Sequence, residues 1–280
     1  MTDEAKPRLQ APPDACDCHI HVFMAGAPLA PTATATAAPP DAPLEAYLDV
    51  RRRLGVSRCV IVQPSAYGAD NRVTTAALGA LGDRARGVAT IEPDISDDGL
   101  QALTNAGMRG LRFHMLPGGI YSWEQLPTLA AKVQAHGWHV QVQLDGRTLV
   151  DHADKLAALP GLAVIDHVGK FLEPVDVNHP AFKALLRLVD SGRVYVKLSA
   201  PYEVSKAGPP HYEDVGALAR ALVRAAPERM LWASNWPFVG IPKEKQPDAA
   251  AMLDLLLEWA DDDATRNRIL VDNPARVYGF

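Results

Sequence analysis

The 280-residue chain lacks the features that mark membrane-bound, secreted or nucleic-acid-binding proteins. No apolar run approaches the roughly 20 residues that a membrane-spanning helix needs. The polar, proline-containing N-terminus has no apolar core of a signal peptide. The net charge is −5, so no basic surface for nucleic acid or acidic lipid is indicated. We therefore expect a cytoplasmic protein that binds neither nucleic acid nor membrane.

Cysteine is also scarce. The three cysteines, Cys16, Cys18 and Cys59, are odd in number and form no Cys-x-x-Cys motif, which argues against a disulfide framework. Cys16 and Cys18 have the opposite parity to His19 and His21 along a predicted strand. We therefore expect both thiols to face the helix layer as small apolar fillers.

What the chain does have is a regular alternation of short apolar runs and helical stretches. Eight strands are predicted at Ala15–Val22, Cys59–Gln63, Gly87–Ile91, Gly110–His114, His139–Leu144, Ala163–His167, Val194–Leu198 and Met230–Asn235. Helices are predicted at Pro43–Leu54, Arg72–Leu81, Ser96–Ala106, Ser122–His136, Thr148–Leu159, Pro180–Asp190, Tyr212–Ala226, Pro247–Ala260 and Ala264–Tyr278. Eight strand–helix repeats are typical of an α/β fold of the (β/α)8 TIM-barrel class. A doubly wound sheet is the alternative, but it would not bring the first, sixth and eighth strands together.

The predicted domain organisation is a tail over residues 1–14 followed by a single barrel domain over residues 15–280. Residues 25–43, rich in Ala, Pro and Thr, follow the first strand directly. In a barrel this places them over the C-terminal mouth, where sites are built. The segment is either a flexible loop that covers substrate or a mobile loop without function, and the sequence favours neither.

Polar side chains near the ends of the predicted strands are the candidate site. The outer face of a barrel strand lies under helices and must be apolar, so alternating polar residues indicate the lumen. In strand five this logic places Gln141, Gln143 and Asp145 on the lumen face. The candidates collected in this way are His19, His21, Ser65, Tyr67, Arg112, His114, Gln143, Asp145, His167, Lys197 and Asn235.

The types of these residues indicate chemistry on an anionic molecule. His19, His21 and His167 are expected to converge at one mouth, which favours a catalytic or metal centre over packing. Arg112 and Lys197 are expected there as well. Buried Lys and Arg are rare unless paired, so two cations at the mouth predict an anionic substrate.

Three motifs together resemble the amidohydrolase superfamily, and specifically its amidohydrolase-related branch, which holds lactone hydrolases. They are His19-x-His21 on strand one, Ile165-Asp166-His167 ending strand six and Asn235-Trp236-Pro237 ending strand eight. Other stretches are similar to the branch's 2-pyrone-4,6-dicarboxylate lactonases (Ile61-Val62-Gln63-Pro64-Ser65) and its galactarolactone isomerases (Val142-Gln143-Leu144-Asp145-Gly146). The resemblance spans nearly the whole chain and implies a carboxylated ring ester as substrate.

The chain departs from the superfamily's metal-dependent pattern, which uses a strand-five histidine and a strand-eight aspartate. It offers Gln143 or Asp145 in the first place and Asn235 in the second, and an amide is a poor zinc ligand. We therefore predict no metal and no cofactor. A three-histidine site of His19, His21 and His167 remains the alternative.

The resemblance implies a hydrolase that opens a small sugar-acid or dicarboxylate lactone; a lactone isomerase is the alternative, and a non-catalytic sugar-acid binding protein is a third reading. In this hypothesis the histidines polarise the lactone carbonyl, His167 or Asp145 acts as base, and Asn235 orients it. Arg112 and Lys197 would hold the substrate carboxylate. The other substrate oxygens would be bound by Ser65, Tyr67, Gln143 and His114. The sequence indicates no oligomeric state.

Overall fold

Eight parallel strands pair in chain order and form a barrel. The computed structural model describes residues 5–31 and 39–280. The strands are β1 (Cys16–Ile20), β2 (Arg58–Val62), β3 (Ala85–Ala89), β4 (Met108–His114), β5 (His139–Gln143), β6 (Ala163–Ile165), β7 (Val194–Leu198) and β8 (Met230–Trp232). The barrel closes where the backbone N–H of Asn235 donates to His19 O at 3.0 Å and that of His21 donates to Trp236 O at 2.9 Å. The predicted (β/α)8 TIM barrel is confirmed.

Helices fill the connections between the strands and cover the outside of the barrel. They are α1 (Leu44–Leu54), α2 (Arg72–Leu81), α3 (Asp97–Asn105), α4 (Leu126–Gln134), α5 (Leu149–Ala157), α6 (Pro180–Asp190), α7 (Glu213–Ala225), α8 (Ala249–Asp254), α9 (Leu256–Trp259), α10 (Asp263–Asn267) and α11 (Asn273–Tyr278). A π-helical turn, Arg268–Asp272, joins the last two. Residues 122–125, the predicted first turn of the fourth helix, lie instead in the segment before α4, where Ser122 N–H donates to the Gln125 side chain at 2.9 Å.

A β-bulge in β1 changes which of its side chains face the lumen. Residues 17–20 of β1 oppose residues 59–61 of β2, so β1 carries one extra residue. Cys18 and His19 consequently both face the lumen. Cys18 packs among apolar lumen side chains, and His19 contacts Lys197. The expectation that Cys16 and Cys18 face the helix layer is wrong, because the extra residue reverses the alternation halfway along the strand.

The lower half of the lumen is filled with side chains. The apolar residues packed there are Cys16, Cys18, Val60, Val62, Val88, Val164, Tyr195, Leu231, Ala233, Val277 and Tyr278. The last two come from α11, which covers the amino-terminal end of the barrel. This half stabilises the fold, and the opposite end of the barrel, at the carboxyl ends of the strands, is left for a site.

The buried carboxylate of Asp17 holds β1 against the segment that follows β8. It accepts hydrogen bonds from the backbone N–H of Ser234 at 2.9 Å, from the Ser234 hydroxyl at 2.5 Å and from the Tyr47 hydroxyl at 3.2 Å. Burial raises the pKa of Asp17 to about 6, and the Ser234 contacts oppose a larger rise. The contacts fix the positions of His19 and Asn235, which lie close by in the sequence.

The N-terminal segment and the loop after β1 both contact the barrel through their described residues. Leu9 is buried, and its N–H donates to the Asp254 carboxylate at 2.9 Å. After β1, the Ala30 N–H donates to Ala66 O at 2.8 Å. Residues 32–38, the middle of the predicted flexible loop over 25–43, lie outside the described residues. In the described part of the chain, every helix is too short or too polar to span a bilayer.

Candidate active site

A cavity of about 210 Å³ opens at the carboxyl ends of the strands. Its walls are formed by His21, Phe23, Pro64, Ser65, Ala66, Arg112, His114, Gln143, His167, Lys170, Glu203, Asn235 and Val239. Seven predicted site residues are among them: His21, Ser65, Arg112, His114, Gln143, His167 and Asn235. The structure therefore brings together residues from β4 and β5 and from the segments that follow β1, β2, β6 and β8, as expected for a TIM-barrel site.

A chain of contacts beneath the cavity sets the tautomers of two histidines. Lys197 Nζ donates to Gln141 Oε1 at 2.6 Å and to His19 Nδ1 at 3.1 Å. An ammonium only donates, so His19 accepts at Nδ1 and carries its proton on Nε2. That atom lies 3.2 Å from His21 Nε2. On the far side of the His21 ring, Nδ1 donates to Val62 O at 2.7 Å, so Nε2 of His21 holds a lone pair.

Lys197 does not lie at the mouth, where the sequence placed it. Its side chain is fully buried, and Nζ lies 3.3 Å from the Asp166 carboxylate. Asp166 also lies 3.4 Å from His19 Nδ1 and accepts from Gln141 Nε2 at 3.1 Å. Burial lowers the pKa of Lys197, while Asp166 favours the charged form. Lys197 is therefore a cation behind the histidines, and its distance from the cavity does not fit the predicted contact with a substrate carboxylate.

The cavity histidines are neutral at physiological pH. Burial lowers the pKa of His21 and of His167 to about 3, and it lowers that of His114 to about 4. The nearby guanidinium of Arg112 adds to the effect at His21 and His114. A neutral imidazole has one lone pair and one N–H, so each ring can accept or donate a proton.

His167 reaches the cavity through a left-handed turn. β6 ends at Ile165, which packs in the outer core, and residues 167–170 have φ values of 56, 55, 84 and 45°. Such a run is costly for residues other than glycine and is found mostly at functional sites. It directs His167 and Lys170 inward, and His167 Nδ1 lies 2.8 Å from Ser199 Oγ. Nε2 of His167 has no protein partner among the described residues.

Lys170 and Glu203 line the cavity, although neither is among the site residues predicted from the sequence. Lys170 Nζ donates to one oxygen of Glu203, and Nδ2 of Asn235 donates to the other at 3.1 Å and to the Tyr202 hydroxyl at 2.9 Å. Burial opposes ionisation of Glu203, but Lys170 and the hydrogen bonds from Lys170 and Asn235 outweigh it and lower its pKa. The loop after β7 thus brings an ionised carboxylate to the strand-eight position where the sequence has an amide.

Asp145 lies outside the cavity, bound to its neighbours. Its carboxylate accepts from the Arg147 side chain at 2.5 and 2.9 Å, from the Arg147 backbone at 3.1 Å and from the Leu172 backbone at 3.3 Å. These bonds outweigh partial burial and lower its pKa. The predicted lumen position of Asp145 is wrong, because β5 ends at Gln143 and the chain turns before the alternation can continue.

Two further predicted residues lie behind the cavity wall. His19 is fully buried, and its ring packs on the rings of the cavity residues His21 and His167, with centroids 4.8 and 4.9 Å apart. The hydroxyl of Tyr67 accepts the backbone N–H of Met24 at 3.0 Å, and its ring packs on Phe23 with centroids 5.8 Å apart. Tyr67 therefore supports the loop after β1, and this position does not fit the predicted hydrogen bond to a substrate oxygen.

Arg112 carries the uncompensated positive charge of the cavity. The residue is 5% exposed, and its guanidinium donates to two neutral oxygens, Gln63 O at 2.8 Å and Gln143 Oε1 at 2.9 Å. Its Nε has no hydrogen-bond partner, and no carboxylate of the described residues forms an ion pair with it. A buried cation without an anionic partner is unfavourable, so the site is suited to an anionic ligand.

The residues present do not fit a divalent metal centre. The buried donors close enough together to share an ion are His19, Asp166 and His167. The ammonium of Lys197 already lies 3.1 Å from Nδ1 of His19 and 3.3 Å from Asp166, so two of the three donors contact a cation. Gln143 and Asn235 supply amides where zinc would need imidazole or carboxylate.

This donor set predicts that activity does not depend on a divalent metal. Protein dialysed against a strong chelator should keep its kcat/KM, because Arg112, Lys170 and Lys197 already supply the positive charge that a metal ion would provide. Metal content should be measured on the same samples. Loss of turnover on chelation, with recovery after one equivalent of zinc per chain, would instead support the three-histidine alternative.

Comparison with known proteins places the chain among enzymes named for lactones. D-galactarolactone isomerase of Agrobacterium fabrum is 34% identical over 270 residues, which cover 95% of this chain and 91% of that enzyme. The 2-pyrone-4,6-dicarboxylate hydrolase of Comamonas testosteroni is 34% identical over 286 residues, covering 98% and 93%. An apo crystal structure from Agrobacterium tumefaciens superposes with a TM-score of 0.91 at 34% identity, covering 98% of each chain.

The family profile described as amidohydrolase matches residues 16–280, which include all eight strands and the whole cavity wall. The match agrees with the motifs on β1, β6 and β8 from which the resemblance was drawn. The chain belongs to the amidohydrolase family.

Proposed function

We propose that this protein is a hydrolase that opens the ring ester of a small carboxylated lactone with water. One observation carries the proposal: an unpaired guanidinium, a neutral imidazole and an ionised carboxylate meet in one cavity, as Arg112, His167 and Glu203. These groups can bind an acid, accept a proton and stabilise the positive charge that forms. The names of the two related enzymes support a lactone as substrate.

Arg112 would seat the substrate through its carboxylate. The guanidinium is held by Gln63 O and Gln143 Oε1, so its orientation is fixed before the substrate arrives. Charge-assisted hydrogen bonds to a carboxylate are stronger than neutral ones. Ser65, Gln143 and His114 would bind the remaining substrate oxygens, as expected from the sequence.

His167 would remove the proton from the attacking water and give it to the ring oxygen that leaves when the ester bond breaks. Its Nε2 has no protein partner among the described residues, and its Nδ1 is held by Ser199. The imidazolium that forms would be stabilised by the carboxylates of Glu203 and Asp166, both of which act to raise the pKa of His167. A base that is oriented by a hydrogen bond, and whose protonated form is stabilised by nearby carboxylates, is suited to general base catalysis.

Positive charge around the cavity would stabilise the oxyanion that develops on the lactone carbonyl. Arg112 and Lys170 lie in the wall, and Lys197 lies behind His19. Fixed charges in a water-poor site act strongly on a developing negative charge. The His19–His21 pair lies between Lys197 and the cavity and would transmit its effect through hydrogen bonds.

A lactone isomerase is the second candidate, and Asn235 favours it. An amide cannot deprotonate water as a carboxylate in its place could, so a hydroxyl of the substrate itself could be the attacking group. Glu203 weakens this argument, since it brings a carboxylate within 3.1 Å of the Asn235 amide. Binding without catalysis, the third reading, does not need buried neutral bases beside a carboxylate.

Turnover of a panel of carboxylated lactones tests the proposal. Hydrolysis at neutral pH converts a neutral ester into a carboxylate and releases one proton, whereas isomerisation releases none. A pH-stat therefore separates the two reactions directly. We expect proton release that matches the lactone consumed; a panel of sugar-acid and dicarboxylate lactones left unchanged would contradict both candidates.

A further inference from the structure

We propose that the substrate carries a single acidic group, with neutral polar substituents on the rest of its ring. This inference rests on the proposed function and narrows its substrate class, since lactones with one and with two acid groups both fit the general hypothesis. It follows from a count of the charges that line the cavity and from the way each is paired.

The cavity wall has one positive charge more than it has negative charges. Its histidines are neutral, so the charged lining residues are Arg112, Lys170 and Glu203. Lys170 is bound to Glu203, which leaves Arg112 without an anion. Lys197 lies beneath the wall and contacts Asp166. One acid group on the ligand therefore neutralises the site.

A second acid group would meet the carboxylate of Glu203. That carboxylate is held in place, because Lys170 binds one of its oxygens and the Asn235 amide donates to the other at 3.1 Å. Its side chain is only 16% exposed, so water screens it poorly. Among the described residues, the wall has no further unpaired cation that could neutralise a second acid group. That group and the Glu203 carboxylate would therefore repel each other.

The uncharged part of the wall fits neutral polar groups. Ser65 Oγ, Gln143 Nε2 and Asn235 Oδ1 have no hydrogen-bond partner among the described residues, and all three residues line the cavity. Such groups are matched by hydroxyls and ring oxygens. The volume, about 210 Å³, is below the usual range of roughly 300–1,000 Å³ for ligand pockets, which also favours a small ring with short substituents.

Binding of two ring analogues that lack the ester bond tests the charge count without relying on turnover. The probes are tetrahydrofuran-2-carboxylate and cis-tetrahydrofuran-2,5-dicarboxylate, titrated by calorimetry into the full-length protein. We expect the monocarboxylate to bind about tenfold or more tightly than the dicarboxylate, the scale of one unfavourable charge contact. Equal or tighter binding of the dicarboxylate would overturn the proposal.

Two variants assign the preference to Glu203. In Glu203→Gln, Lys170 becomes a free cation, so the preference for the monocarboxylate should disappear or reverse. In Lys170→Met, Glu203 keeps its charge without a cation, so the preference should increase. Glu173→Gln removes an exposed carboxylate that lies 3.6 Å from Lys206 and outside the cavity wall, and it should leave the preference unchanged.

The outcomes separate this inference from the proposed function. An unchanged preference in both Glu203→Gln and Lys170→Met would overturn the charge count even if lactones are hydrolysed. The expected preferences together with no turnover of any lactone would leave the charge count standing and contradict the hydrolase. Thermal melting of each variant confirms that the compared proteins are folded.

Discussion

Replacing His167 with Asn should lower kcat by about a hundredfold or more, the scale of a general base. Asn keeps a similar shape and can still contact Ser199, but it cannot take a proton from water. The side chain is nearly buried and makes one protein hydrogen bond, at 2.8 Å, so the folded protein should remain stable. Steady-state kinetics on a lactone from the panel measures the effect.

Asp145→Asn is the matched control, since it also replaces a titratable group with an amide, but at a residue outside the cavity wall. Its kcat should stay close to that of the unmodified enzyme. The pH profile adds a second readout: with a His167 pKa of about 3, kcat/KM should not fall between pH 8 and pH 5. A large loss in Asp145→Asn with normal turnover in His167→Asn would show that the base was assigned to the wrong residue.

Replacing Lys197 with Met should cost about 3–5 kcal/mol of the free energy of unfolding, the usual effect of removing one partner of a buried ion pair. The carboxylate of Asp166 would lose its ammonium, 3.3 Å away, and Gln141 and His19 would lose a donor. The sequence placed Lys197 at the mouth, where its loss would change substrate binding with little effect on stability. Chemical denaturation of the variant distinguishes the two positions.

Turnover should fall in Lys197→Met as well, because His19 would no longer be held as its Nε2–H tautomer. The double variant Lys197→Met/Asp166→Asn removes both charges and should recover much of the stability but not the activity. Lys206→Met, at an exposed lysine that lies 3.6 Å from Glu173, is the control. Normal stability in Lys197→Met, together with a raised KM and unchanged kcat, would support the mouth position after all.

Sequence periodicity predicted the positions that lie on regular strands. Gln141 and Gln143 face the lumen as their alternation in β5 indicated, and Arg112 and His114 do so in β4. The outer face of each strand lies under helices and must be apolar. The polar residues of a strand therefore point into the lumen. The barrel itself follows from eight such repeats.

Periodicity failed where the backbone leaves the regular strand. The bulge in β1 turned Cys18 inward, and the turn after β5 took Asp145 out of the lumen. Lys170 and Glu203 come from segments past strand ends, where alternation carries no information. Their position a few residues after a barrel strand was the one available indication.

Depth along the lumen was the other quantity that the sequence could not supply. Lys197 has the inward parity that was predicted, yet it lies below the cavity and contacts His19 rather than solvent. Ser199, two residues after Lys197, lies higher and forms a hydrogen bond with His167 at 2.8 Å. Parity gives the face of a strand, and the level at which a side chain ends depends on its length and on the tilt of the strand in the barrel.

The oxygen that attacks the lactone carbonyl is the central point of the proposed function, and isotopic labelling identifies it. The reaction should be run in ¹⁸O-labelled water with a carboxylated lactone that the enzyme consumes, and the product analysed by mass spectrometry. We expect a ring-opened acid with one labelled oxygen in its new carboxylate. An isomeric lactone without label would contradict it, because a hydroxyl of the substrate would then be the attacking group.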